Sequence, residues 1–276
     1  MFRRILLMGL LAGAVCLGVA RGQEGNGDKA KQEFSPEYQQ AYEKAIQLFN
    51  QNDFDGTLKQ LDEADKLQAG VVATQNLRGA VYVRQKKYDE AQKIFADLYQ
   101  KDPQNVMALF NLGETYFLQK NYSEATKHFQ AFTEKSKTQN SLGVYKVFLC
   151  NLQTGNEATA KKTLDETQAT ISDPLYYYLN AAYLFKQGKL EDARGYLASA
   201  FQIYPGQANA AFIDSLIELG YVKPDDIKAS GGNTAPVVQG GGHAPAPVPA
   251  PAPTSTTPDI SGLENLLPNL DSDKKK

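Results

Sequence analysis

At 276 residues, with 42% hydrophobic and 22% charged positions, the chain is long enough to bury a sizeable core in one or two domains. Its formal charge of −2 offers no basic surface for nucleic acid or an anionic membrane, and two cysteines exclude a disulfide-rich scaffold.

The first element is MFRRILLMGLLAGAVCLGVARG, residues 1–22, where Arg3 and Arg4 precede an apolar run from Ile5 to Ala20 and Ala20-Arg21-Gly22 closes it. A charged start, an apolar middle and a small-x-small end are the layout of a secretory signal peptide, with cleavage expected after Gly22. The run is too short to favour a lasting membrane span. Cys16 follows Val15 inside the run, which does not suit lipid attachment. The mature chain is therefore expected to be exported, to a periplasm or the exterior. Cleavage removes three arginines and no acid, taking the formal charge to −5, and leaves Cys150 as the sole cysteine, so no internal disulfide forms. Within VYKVFLCNL, Cys150 reads as a small buried residue rather than a reactive thiol. Residues 23–34 read as a flexible segment.

Next comes a repeat. NLRGAVYVRQKKYDEA from Asn76 and NLGETYFLQKNYSEA from Asn111 share a pattern, and Gly79/Gly113, Tyr82/Tyr116, Tyr88/Tyr122, Ala91/Ala125 and Phe95/Phe129 are each 34 apart. Upstream the ruler falls on Ala45, Thr57 and Leu61, and two periods downstream on Ala181, Ala193 and Leu197. The intervening copy fits poorly at Val147, Thr159 and Thr163, and LQTGNEATAKKTL fits better moved by one residue. Apolar residues recur at helical spacing in two blocks per copy, separated by breaks such as RQKKYDE, LQKNYSE and KQGKLED, so each copy is predicted to be a helical hairpin. The small residues allow close backbone approach, aromatics fill the space beside them, and Pro103 and Pro205 follow second helices as stops.

After the fifth copy, GQANAAFIDSLIELG is predicted to be a capping helix with Phe212, Leu216 and Leu219 on one face and Gly220 at its end. The folded domain is expected over 35–228. From 229 to 276 the composition turns to Gly, Ala and Pro, a spacer unable to build a core. Within it, residues 259–267 place Ile260, Leu263, Leu266 and Leu267 on one side of a short helix that a partner would have to order, a candidate docking motif.

The repeat resembles the tetratricopeptide repeat family: a small residue, an aromatic three on, another nine on, then Ala, an aromatic and a late Pro. The likeness covers roughly residues 38–205 as five copies and lacks the family's early tryptophan, Leu109 standing there in the third copy. It implies an all-α, right-handed α-solenoid whose first helices line a concave groove. The positions that the resemblance makes partner-facing are Tyr42, Ile46 and Phe49; Asn76, Ala80 and Val83; Phe110, Glu114 and Phe117; Val144, Phe148 and Asn151; and Tyr178, Ala182 and Phe185. This face is apolar and aromatic and lacks the Lys/Asn/Arg set with which related arrays clamp a terminal carboxylate. An amphipathic helix or apolar segment suits it better.

Catalytic chemistry is not in evidence. The two histidines, His128 and His243, are far apart in the chain, and no Cys-x-x-Cys, His-Glu-x-x-His, Gly-x-Ser-x-Gly or phosphate loop occurs. The acids of FDGTLKQLDEAD lack calcium-loop spacing and read as a solvated helix face. No cofactor and no metal are expected. The expected function is that of a non-enzymatic adaptor or scaffold of the cell envelope with a protein or peptide partner, the alternative being a self-associating structural component of an envelope complex.

Overall fold

The computed structural model describes residues 34–136, 140–170, 172–204 and 206–223. The expected signal peptide, the segment 23–33, Pro205, residues 224–228 and the tail with Ile260, Leu263, Leu266 and Leu267 lie outside the described residues. Among the described residues there are eleven helices and no strand. These are α1 Pro36–Asn50, α2 Phe54–Leu67, α3 Val72–Arg84, α4 Tyr88–Lys101, α5 Val106–Leu118 and α6 Tyr122–Lys135, then α7 Asn140–Gln153, α8 Glu157–Glu166, α9 Leu175–Lys186, α10 Leu190–Ile203 and α11 Gly206–Glu218. They pair in order as five hairpins followed by α11, each hairpin packing on the next, which is the all-α solenoid expected from the repeat. No helix among the described residues is long and apolar enough to cross a membrane.

Every hairpin turns on a single left-handed residue. Asn52, Lys86 and Lys120 take φ of 61°, 61° and 62°, and Gly155 and Gly188 take 75°. The following amide then donates five residues back: Asp53 to Leu48, Lys87 to Tyr82, Asn121 to Tyr116, Asn156 to Asn151 and Lys189 to Leu184, all at 2.8–3.0 Å. Such a bond caps the C-terminus of the first helix, and the residue that donates it is also the N-cap of the second. At Asp53 and Asn121 the side chain adds a cap of its own, accepting from Gly56 N at 2.9 Å and Glu124 N at 3.4 Å. The turn residues step by 34, 34, 35 and 33, so the slip read in the fourth copy is present and is cancelled in the fifth.

Packing explains the conserved spacing within each copy. Ala91, Ala125, Ala160 and Ala193 are fully buried at equivalent points of the second helices, with Thr57 in the first copy. Opposite them, Gly79 and Gly113 leave room for the rings of Phe95 and Phe129, both fully buried. Second helices are amphipathic, α4 burying only Ala91, Phe95 and Leu98, whereas α5 buries nine of its 13 residues. A helix buried on most sides lies between neighbours, so the first helices form the inner row.

Candidate partner-binding groove

Contacts between first helices run along the whole array. Tyr38 Oη and Thr74 Oγ1 meet at 2.8 Å between α1 and α3, and Asn111 Nδ2 donates to Asn76 Oδ1 at 3.3 Å between α3 and α5. Lys146 Nζ pairs with Glu114 Oε1 at 2.6 Å between α5 and α7, and the rings of Tyr145 and Tyr178 meet edge-on at 6.0 Å between α7 and α9. Among the described residues the second helices share fewer such contacts, Lys135 of α6 lying 5.8 Å from the Tyr99 ring of α4. The first-helix face is therefore the tighter, inner side of the stack.

The C-terminal half of this face is already covered. α11 does more than close the last hairpin, because it reaches across α9 to α7. Phe212 lies 5.2 Å from the ring centroids of both Tyr145 and Tyr178. Beyond the helix, Tyr221 stacks on Phe185 at 5.6 Å and its hydroxyl accepts from Gln153 Nε2 at 3.0 Å. Gly220, at φ 76°, ends the helix as its sequence position predicts.

Beneath α11 lies a buried charge cluster. Lys146 Nζ sits 2.6 Å from Glu114 and 3.8 Å from Glu218, with side-chain exposures of 3%, 9% and 9%. The ammonium also rests over the Phe117 ring, 4.7 Å from its centroid. Burial works against the charge on Lys146, but Glu114 and Glu218 hold it above its ordinary value. One ammonium cannot neutralise two carboxylates out of water. Burial pushes Glu218 up to about 8, Lys146 opposing and Glu114 and Asp214 adding to the rise.

The predicted site residues are placed less openly than expected. Tyr42, Phe49, Val83, Phe110 and Phe148 are buried in the packing of their own and neighbouring hairpins: Tyr42 stacks on Tyr38, Phe49 packs on Phe54, and Phe110 packs on Phe129 and Phe132. Ala80 and Ala182 are likewise core, while Ile46 and Val144 are half-buried. Asn76 is buried against Asn111, and Phe117 lies under Lys146. Asn151 is buried beside the fourth turn, its Oδ1 accepting from Asn156 Nδ2 at 3.2 Å. Glu114, Phe117, Tyr178 and Phe185 of the set belong to the cluster that α11 and Tyr221 cover. Tyr145 and Lys146, which anchor that cluster, were not among the sequence-derived positions. Stepping 35 residues from Phe110, as the fourth-copy slip requires, reaches Tyr145, whereas Lys146 corresponds to Asn111, which lies outside the predicted set.

Neighbouring features are structural. Asp62 and Asp65 of the acidic run both bind Arg78 at 2.8 Å, joining α2 to α3. Burial pushes the Cys150 thiol up to about 12, so it stays protonated and inert. His128 stacks on Tyr116 at 5.3 Å, and its desolvation lowers its pKa. Among the described residues no three His, Cys, Asp or Glu side chains gather as metal ligands.

Helical hairpins on a 34-residue period, with their first helices sharing an inner face, define a helical-repeat scaffold. Residues 82–139 match the model of the tetratricopeptide repeat family. A curated protein, tetratricopeptide repeat protein 37 of Xenopus laevis, is 31% identical over 153 residues, covering 52% of this chain. The chain spans about 10% of the length of that relative. With the fold and the period, these matches support reading the chain as a tetratricopeptide repeat protein.

Proposed function

We propose that this protein is a non-enzymatic adaptor or scaffold that holds a segment of a protein partner against its first helices, and that it works after export, in the periplasm or cell envelope. The observation that carries the reading is the seat of α11: the face formed by α5, α7 and α9 already accommodates an amphipathic helix, with a ring in an aromatic notch and an acid near a buried lysine. A surface with that chemistry recognises chain, not a small substrate. The export reading rests on residues 1–22 and their signal-peptide layout.

Hydrogen exchange on the full mature chain, alone and bound to a partner captured from envelope extract, tests the reading. Protection is expected to increase in α5, α7 and α9. Protection confined to the second helices α2, α4, α6, α8 and α10 would rule out the inner face. N-terminal sequencing of protein recovered from the exported fraction is expected to begin at Gln23, and an intact Met1 in the cytosolic fraction alone would remove the export proposal.

A further inference from the structure

We infer that α11 is an internal ligand of the inner face rather than a fixed end-cap, and that the partner taking its place is an amphipathic helix carrying an aromatic ring and an acid six residues apart. This deepens the adaptor reading and rests on it.

Three observations distinguish α11 from a simple lid. A cap needs to cover only the last hairpin, with its polar side chains turned outward, yet α11 passes over α9 to reach α7 and the pair that Lys146 of α7 makes with Glu114 of α5. It carries polar groups into its own buried face as well: Ser215 is fully buried, and the Glu218 side chain is 9% exposed. Apolar contact from Phe212, Ile213 and Leu216 holds the helix down, while these polar groups are brought out of water with it.

The fit between α11 and its seat is also incomplete. Among the described residues, the hydroxyls of Tyr145 and Tyr178, both fully buried, have no hydrogen-bond partner, and neither do Ser215 Oγ and Glu218 Oε2. Glu218 approaches Lys146 at 3.8 Å, an ion-pair distance too long for a hydrogen bond. Unmade bonds of this kind weaken a buried contact more than missing apolar area does. The covalent tether compensates, since a short linker holds a segment at an effective concentration in the millimolar range. Asn209 Nδ2, donating to Ala200 O at 3.4 Å and Tyr204 O at 3.0 Å, pins only the N-terminal end of α11. A helix whose own groups satisfy the two phenols and bring its acid closer to Lys146 overcomes the tether and replaces it.

The test uses a fluorescein-labelled peptide of residues 204–223 and the full mature chain. The wild type is expected to leave the peptide unbound at micromolar concentration, because its tethered copy competes at millimolar effective concentration. A full-length Phe212→Ala, Leu216→Ala variant, whose α11 is released, is expected to bind the peptide at least about tenfold tighter than the wild type, for the same reason. Adding Lys146→Met to that variant, or Glu218→Lys to the peptide, is expected to undo the gain. A variant that keeps its helical circular dichroism and still binds no better than the wild type overturns the inference. If the variant does not fold, hydrogen exchange on the wild type decides: α11 amides must open as a block with less protection than those of α7 and α9, and equal protection overturns the inference. Loss of peptide binding with partner protection of α5, α7 and α9 intact sinks the internal ligand and leaves the adaptor standing.

Discussion

Gly79 and Gly113 are small because a ring needs the space. A methyl added at Gly79 would meet Phe95 Cζ at 2.5 Å, and one at Gly113 would meet Phe129 Cε1 at 2.6 Å. Alanine gains about 1 kcal/mol of intrinsic helix propensity over glycine, but forcing a fully buried ring aside costs about 1–3 kcal/mol. Sterics therefore wins, and Gly79→Ala is expected to lower the denaturant midpoint without changing the m-value; a raised midpoint would contradict this packing. The hairpin turns have the opposite logic. Lys120 holds φ 62° where Gly188 holds 75° in the fifth copy. A side chain at left-handed φ costs roughly 1–2 kcal/mol, against roughly 0.5–1 kcal/mol for the extra freedom of glycine. Lys120→Gly is thus expected to be neutral to stabilising by up to about 1 kcal/mol, and Gly188→Ala to destabilise by about 1 kcal/mol. Equal effects of the two substitutions in urea titration would refute the shared turn geometry.

Glu218 makes the seating of α11 sensitive to pH. Its carboxyl ordinarily titrates near 4.5 and is held at about 8 under the docked helix, so docking favours the protonated form. That stabilisation is complete below the ordinary value and is lost as pH rises through about 8. The groups facing it are Glu114 from α5, Lys146 and Tyr145 from α7, Tyr88 from α4, and Asp214 from its own helix. Lys146 and both tyrosines are held above their ordinary values and keep their protons throughout that range. Protection factors of α11 amides, corrected for intrinsic exchange, are expected to fall at least about tenfold from pH 5.5 to 8, one linked proton changing an equilibrium up to tenfold per pH unit. Glu218→Gln should remove most of that slope and strengthen docking at pH 8; an unchanged slope would place the titrating group elsewhere. Of all this, only the existence of α11 and its apolar face was legible in the chain. Helices announce themselves through spacing, and Gly220 through its place after Leu219. Where α11 lies depends on which neighbours it meets, and those come from helices up to about 100 residues away, Glu114 and Glu218 being 104 apart. The same limit hid Tyr145: a period of 34 carried through an inserted residue selects the wrong side of α7 by one position, about 100° of helix. The predicted aromatics failed differently. A ring such as Phe110 or Phe148 looks alike in sequence whether it faces a groove or the next helix, and only the packing separates the two.

Repeat arrays distribute stability by neighbour, and here the distribution is uneven. The buried apolar residues form two clusters, one from Tyr38 to Leu112 and one from Leu109 to Val222, and α5 supplies residues to both. The middle of the array is thus held from either side. The fourth hairpin has the weakest second helix: α8 is 10 residues long and buries only Ala160, where α6 is 14 long and buries Ala125, Phe129 and Phe132. At the position of Phe129 it has Leu164, only partly buried. The pairs Lys161–Asp165 and Lys162–Glu166 on its outer face are exposed and stabilise little. Replacing two buried rings by one half-buried leucine removes several kcal/mol of apolar burial, at about 1.5–3 kcal/mol per large side chain. Nearest-neighbour coupling carries only part of such a local deficit along the array. Hydrogen exchange is therefore expected to be fastest, among the second helices, in α8, with protection factors at least about tenfold below those of α6, while α5 remains the best protected. Limited proteolysis should correspondingly cut first between Glu166 and Asp173, after α8, before any cut inside α3–α6. Uniform protection across α4, α6, α8 and α10 would mean that the array unfolds as one cooperative unit, and that the thin fourth hairpin is supported by α11 strongly enough to hide its own weakness.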